Sequence, residues 1–156
     1  MSQTAVNTYQ PAAFNGMLAD LSALNDEMSY AAQAAVPFGA FVALGTNKEK
    51  QVTPVTTSVG QAALAVGVAI ATHTVEQSSA GVAQYAIADT VPMLKRGRVW
   101  LLTDDAVVAG AVANLKLSSG RVTDEAVTTG IEAFTQFSAR FITGTSGSAL
   151  AIVEIK

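Results

Sequence analysis

The sequence predicts a mainly β protein: a compact β-barrel or jelly-roll-like sandwich preceded by an extended N-terminal arm. Short β-prone runs recur from residue 35 onward, divided by Gly, Asn, Pro and Ser. Almost no stretch carries the apolar spacing of a helix. The first thirty residues differ from the rest in being polar with isolated apolar anchors. The expected division is an arm over residues 1–30 and a β-rich body over residues 31–156.

Residues 1–16 hold Pro11 and Gly16, with Tyr9 and Phe14 as anchors, a composition that cannot build a core of its own. Apolar residues at 17, 18, 21 and 24 fit a helical turn or two, and a strand register fits them nearly as well. Residues 36–44 form the first body run, closed by Gly45-Thr46-Asn47-Lys48, and residues 51–55 the second, with Pro54 marking an edge or an end. Residues 63–72 are the most apolar run and the expected central strand. There Val66, Val68 and Ile70 are expected on one face with small residues opposite, and Gly67 lets another backbone approach.

Residues 90–94 and 98–102 flank Lys95-Arg96-Gly97 and read as two short strands or one bent strand. Residues 114–117 and 121–123 surround Ser118-Ser119-Gly120, a hairpin turn. Residues 133–143 and 148–155 close the chain, and imperfect alternation of Leu150, Ile152 and Ile155 suggests a bulge there. Recurring short strands of this kind indicate a barrel or sandwich.

Composition narrows function. Charged residues make up 13% of the 156-residue chain, against roughly 25% in an average soluble protein. Hydrophobic residues reach 50% and aromatics only 6%, because much of the apolar fraction is alanine. A light core under a weakly charged surface points to an exterior meant to be covered. There is no cysteine, hence no disulfide framework and no thiolate metal site. A net charge of −3 argues against a nucleic-acid partner. No apolar run is long enough for a transmembrane helix, and the N-terminus lacks the regions of a secretory signal.

No catalytic constellation, cofactor site or metal site emerges. His73 is the single histidine and reads as a hydrogen-bonded strand-end residue. No Gly-x-Ser-x-Gly turn is present, and residues 144–148 read as a flexible loop. Asp104-Asp105 and Asp26-Glu27 lack the spaced oxygens of a calcium loop and read as solvated turn residues. Gly45-Thr46-Asn47-Lys48 lacks the Gly-Lys-Ser/Thr of a phosphate loop. Lys95, Arg96 and Arg98 form the densest basic cluster. They read either as a salt-bridged turn contacting Asp or Glu on a neighbouring subunit or as a solvated turn.

Several stretches together carry a family likeness. Residues 1–20, the segment Ala35-Val36-Pro37-Phe38-Gly39, and Val66-Gly67-Val68-Ala69 leading into His73-Thr74 and Glu76-Gln77 are three of them. Residues 85–89 and the run from Thr90 to Trp100 continue the series. The chain resembles the capsid cement (decoration) proteins of tailed bacteriophages, collinearly to about Gly110 and more thinly from 111 to 147. The resemblance implies a non-enzymatic protein, made in the host cytoplasm, that binds the outer surface of an icosahedral head in the virion. It implies that the protein bridges neighbouring major capsid proteins and stabilises the DNA-filled shell as a homodimer or homotrimer. Tyr9, Pro11 and Phe14 are then the arm's contacts with capsid or a sister subunit, and Lys95, Arg96 and Arg98 supply polar contacts. The rival classes are a small-ligand or carbohydrate-binding β domain, such as a host-adhesion module, and an enzyme, which would need a convergent polar pocket that the sequence does not display; a tail or head-completion protein is a further alternative.

Overall fold

The computed structural model describes residues 13–20, 25–55, 59–72 and 83–156, and the fold is mainly β. Among the described residues twelve strands follow one another, with one 3-10 turn at Ala62–Leu64. The barrel strands are β1 (Asp26–Ala32), β3 (Phe41–Leu44), β4 (Gln51–Pro54), β5 (Ala65–Ala69) and β7 (Thr90–Leu102). Hydrogen bonding runs in the order β1-β4-β3-β5-β7 and returns from β7 to β1, which closes a five-stranded barrel in which β4 reaches β1 only at Ala31 and Ala32. A short pair, β2 (Val36–Pro37) and β6 (Gln84–Tyr85), lies beside it.

Strand β7 is 13 residues long and belongs to two structures. Its first half pairs with β1 and β5 in the barrel. Its second half pairs with β12 (Leu150–Ile155), which pairs in turn with β11 (Ala139–Phe141). A separate sheet of β10 (Ile131–Glu132), β8 (Asn114–Lys116) and β9 (Arg121–Thr123) packs against this second half. The β8–β9 hairpin forms around Ser118-Ser119-Gly120 as expected, with Lys116 opposite Arg121.

The two faces of the barrel wall bury two clusters. Val42, Val52, Ala69, Val91 and Met93 pack together on one side, closed by Tyr85. Phe41, Val68, Leu94, Leu101, Phe141 and Val153 belong to the larger cluster on the other. Gly67 allows the curvature: a β-carbon there would stand 2.6 Å from the Leu94 carbonyl oxygen and 2.7 Å from Met93 Cγ.

The structure corrects several expectations. Val66 does not share a face with Val68 and Ile70. The ladder jumps from Val42 opposite Gly67 to Ala43 opposite Ala65, so Val66 is the extra residue of a bulge and packs with the Met93 cluster. The β11–β12 ladder runs without a register shift, contrary to the bulge expected there. Half-buried Leu150 and Ile152 alternate with buried Ala151 and Val153, and the strand ends with Glu154 and Ile155 both buried. Of residues 133–143 only Ala139–Phe141 is strand, since Phe134 and Phe137 are used to stack on Phe41. Met17, Leu18 and Ala19 are extended along β7, which favours the strand register over the helical turn; residues 21–24 lie outside the described residues.

Candidate functional site

The basic cluster lies at the midpoint of β7, not in a turn. Lys95 is the extra residue of a bulge, because Asp26 pairs with Arg96 while Glu27 pairs with Leu94. Two residues on, Gly97 adopts φ 137° where β7 leaves the barrel for the second sheet. The bulge and this backbone bend re-aim the basic side chains outward.

Arg98 is committed within the chain. It donates from Nε and Nη2 to Glu154 Oε1 at 3.2 and 3.1 Å, and lies 3.7 Å from Asp20. Glu154 also accepts from Arg140 Nε at 2.8 Å and pairs with Lys156 Nζ at 2.9 Å. Hydrogen bonds from Lys156, Arg140 and Arg98 outweigh desolvation and bring the Glu154 carboxyl down to about 2. The register makes the cluster: Arg98 and Arg140 are the two ladder partners of Glu154. Lys95 and Arg96 have no ion pair among the described residues, although Arg96 stands opposite Asp26.

The end of the N-terminal segment is fastened beside the same strand. Gly16 N–H donates to Trp100 O at 2.8 Å, Trp100 N–H to Met17 O at 2.8 Å, and Ala19 N–H to Arg98 O at 2.9 Å. Asn15 acts as a brace, donating from Nδ2 to Phe38 O at 2.7 Å and accepting from Leu102 N–H at 3.0 Å. Ala13 is buried and Phe14 half-buried. Tyr9, Pro11 and His73 lie outside the described residues.

Asp104 and Asp105 prove to be more than solvated turn residues. Lys116 Nζ lies 2.6 Å from Asp104 Oδ2, 2.8 Å from Asp105 Oδ2 and 3.8 Å from Glu125 Oε2. The carboxylates push the Lys116 ammonium up, and Lys116 with Ser119 holds the Asp104 carboxyl down. Asp26 and Glu27 open β1 and are strand residues, not turn residues. The signal for β1 was present: Met28, Tyr30 and Ala32 alternate with Glu27, Ser29 and Ala31. Glu154 likewise signalled itself as a lone charge inside an apolar closing run.

A cleft of about 270 Å³ opens between the barrel and the β8–β9 hairpin, walled by Phe38, Phe41, Leu101, Leu115 and Leu117. Its polar rim is engaged elsewhere, with Asn15 on backbone groups and Arg121 on Ser148 Oγ. Convergent polar groups, which a substrate pocket needs, are not assembled there. Among the described residues no three or more His, Cys, Asp or Glu side chains gather in a metal-holding group, and no helix is long and apolar enough to cross a membrane.

No curated protein matches the chain. Among solved structures, a chain from "The capsid of Myoviridae Phage XM1" has a TM-score of 0.70 at 16% identity, covering 98% of this chain and 96% of that one. The likeness is one of fold. The model of a family described as structural cement protein (E217 gp24/Pam3 gp6) matches residues 1–156. With that match spanning its whole length, the chain belongs to the family of structural cement proteins.

Proposed function

We propose that the protein is a non-enzymatic cement protein that binds the outer surface of the icosahedral head. In this reading it bridges neighbouring major capsid proteins and stabilises the DNA-filled shell. The observation that carries the proposal is the family match over residues 1–156, which itself gives a structural, capsid-associated role in the virion. The geometry is compatible with it: a closed barrel whose Glu154 and Lys116 are held in ion-pair networks within the chain.

Cementing is linkage. A ligand that binds only the assembled shell stabilises it by its binding free energy. Many copies on one lattice, each touching more than one capsid subunit, add avidity without new chemistry. Ordering an arm on docking costs roughly 1–2 kcal/mol per backbone residue fixed, so a few anchors must dominate. Tyr9, Pro11 and Phe14 are assigned that role, with Lys95 and Arg96 as polar contacts. Arg98 is a weaker contact than its neighbours because Glu154 and Asp20 already hold it.

The test is addition of purified protein to expanded heads that lack it, followed by cryo-electron microscopy and heating. Saturation at on the order of hundreds of copies between capsomers is expected, since one copy serves each repeated lattice site, with a raised disruption temperature. Failure to bind heads, or occupancy limited to a vertex or tail, would overturn the reading in favour of a completion or adhesion protein.

A further inference from the structure

Strand β1 has an edge that none of the described residues covers. Ala31 N–H donates to Lys50 O and Gln33 N–H to Val52 O, both on the β4 side. Backbone groups alternate direction along a strand, so those of Ser29 and Glu27 point to that side as well. The far ladder agrees. Ile70 N–H donates to Pro92 O, so Pro92 faces β5, and its ladder partner Ser29 faces away from β7. Strand β4 reaches only Ala31 and Ala32. Among the described residues, the outward N–H and C=O groups of Glu27 and Ser29 therefore have no partner. Asp26, Glu27, Met28 and Ser29 are all exposed, Met28 by 40%.

An open edge of this kind is a template for another strand. We propose that it pairs with the same edge of a second copy of this chain, antiparallel, about a two-fold axis at Met28. The proposal deepens the capsid reading and rests on it for the crowding that brings copies together.

The chemistry of the edge selects both occupant and register. Centring the axis on Glu27 would set two glutamates opposite each other, which is destabilising. Centring it on Ser29 would require the outward N–H of Ala31, which Lys50 already uses. Centring it on Met28 sets Glu27 opposite Ser29 of the second copy, and Ser29 opposite its Glu27, each pair exchanging both backbone hydrogen bonds. Asp26 then faces Tyr30 of the second copy, a carboxylate beside a hydroxyl, and the two exposed Met28 side chains cover each other. Every acidic residue of the edge meets a hydroxyl and none meets another acid. That self-complementarity is what an isologous interface needs.

The test is a single cysteine. The chain has none, so Met28→Cys introduces one thiol. On the proposed axis the two Cα atoms form a non-hydrogen-bonded pair about 4.5 Å apart, within the roughly 4.4–6.8 Å range of a disulfide. Met28→Cys should oxidise to a covalent dimer at least about tenfold faster than Val59→Cys, a control that is 80% exposed, because only the edge pairing pre-positions its thiols. Adding Ser29→Pro removes an outward N–H while leaving the β7 ladder intact. It should suppress the cross-link, with the circular dichroism spectrum and melting temperature confirming the fold. Equal rates for the two cysteine variants, free and on heads, would overturn the edge pairing, as would cross-linking indifferent to a folded Ser29→Pro. If Ser29→Pro fails to fold, the two single-cysteine rates decide alone. Variants that still bind heads while failing to cross-link leave the capsid reading standing. Failure of the unaltered chain to bind heads strikes the capsid reading itself.

Discussion

Gly16 and Gly39 meet backbone to backbone: a β-carbon on Gly16 would stand 2.5 Å from the amide nitrogen of Gly39. Gly16 has φ 82°, and its carbonyl accepts from Ala71 N–H while Gly39 N–H donates to Ala69 O. The N-terminal segment thus joins the barrel through a contact that admits no side chain.

Gly16→Ala should cost about 2–4 kcal/mol, combining a strained left-handed conformation with a backbone clash. Asn15→Ala should cost about 1–3 kcal/mol through loss of the bonds to Phe38 O and Leu102 N–H. Urea melts measure both costs. Hydrogen exchange should show faster exchange at the amides of Gly16 and Ala19.

Gly67→Ala forces a methyl between Met93 and the Leu94 carbonyl, and overpacking of this kind costs about 1–3 kcal/mol. Met93→Ala in the same chain should recover only part of the loss, because the carbonyl cannot move aside as a flexible side chain can. A double-mutant cycle on melting temperature checks the partial rescue.

Glu154 should give the fold an acid-sensitive component. Its folded value of about 2 lies below the ordinary 4.5, so its stabilising contribution is fully present above pH 4.5 and is lost as pH falls toward 2. Glu154→Gln should cost about 1–2 kcal/mol at pH 7, since the half-exposed Arg98 and Arg140 are screened by water. It should also flatten the stability profile between pH 4.5 and 2. An undiminished acid slope in the variant would mean that another carboxylate is responsible.

Lys116→Met removes the one ammonium among Asp104, Asp105 and Glu125. Melting temperature should fall at neutral pH and low salt, and recover in part with added salt or with acidification through the carboxylate range. Differential scanning calorimetry at two ionic strengths measures this.

Removing residues 2–12 should leave the barrel folded, because the described anchor from Ala13 to Ala19 stays in place, and should weaken head binding. Equal binding by the shortened chain would show that Tyr9 and Pro11 carry no contact.

The β class, the β8–β9 hairpin, the close approach at Gly67 and the family were legible in the sequence, because each is carried by local composition or by contiguous residues. Alternation, turn residues and a glycine in an apolar run act over a few positions and can be read one segment at a time. Barrel closure, the double allegiance of β7 and the meeting of Arg98, Arg140 and Lys156 on Glu154 were decided only by tertiary structure. They depend on ladder register between distant strands, and a one-residue bulge at Lys95 or Val66 redirects side chains in a way no local pattern encodes. The open edge of β1 belongs to the same class: Glu27 and Ser29 are ordinary residues until the short reach of β4 leaves them without a neighbour on that side among the described residues.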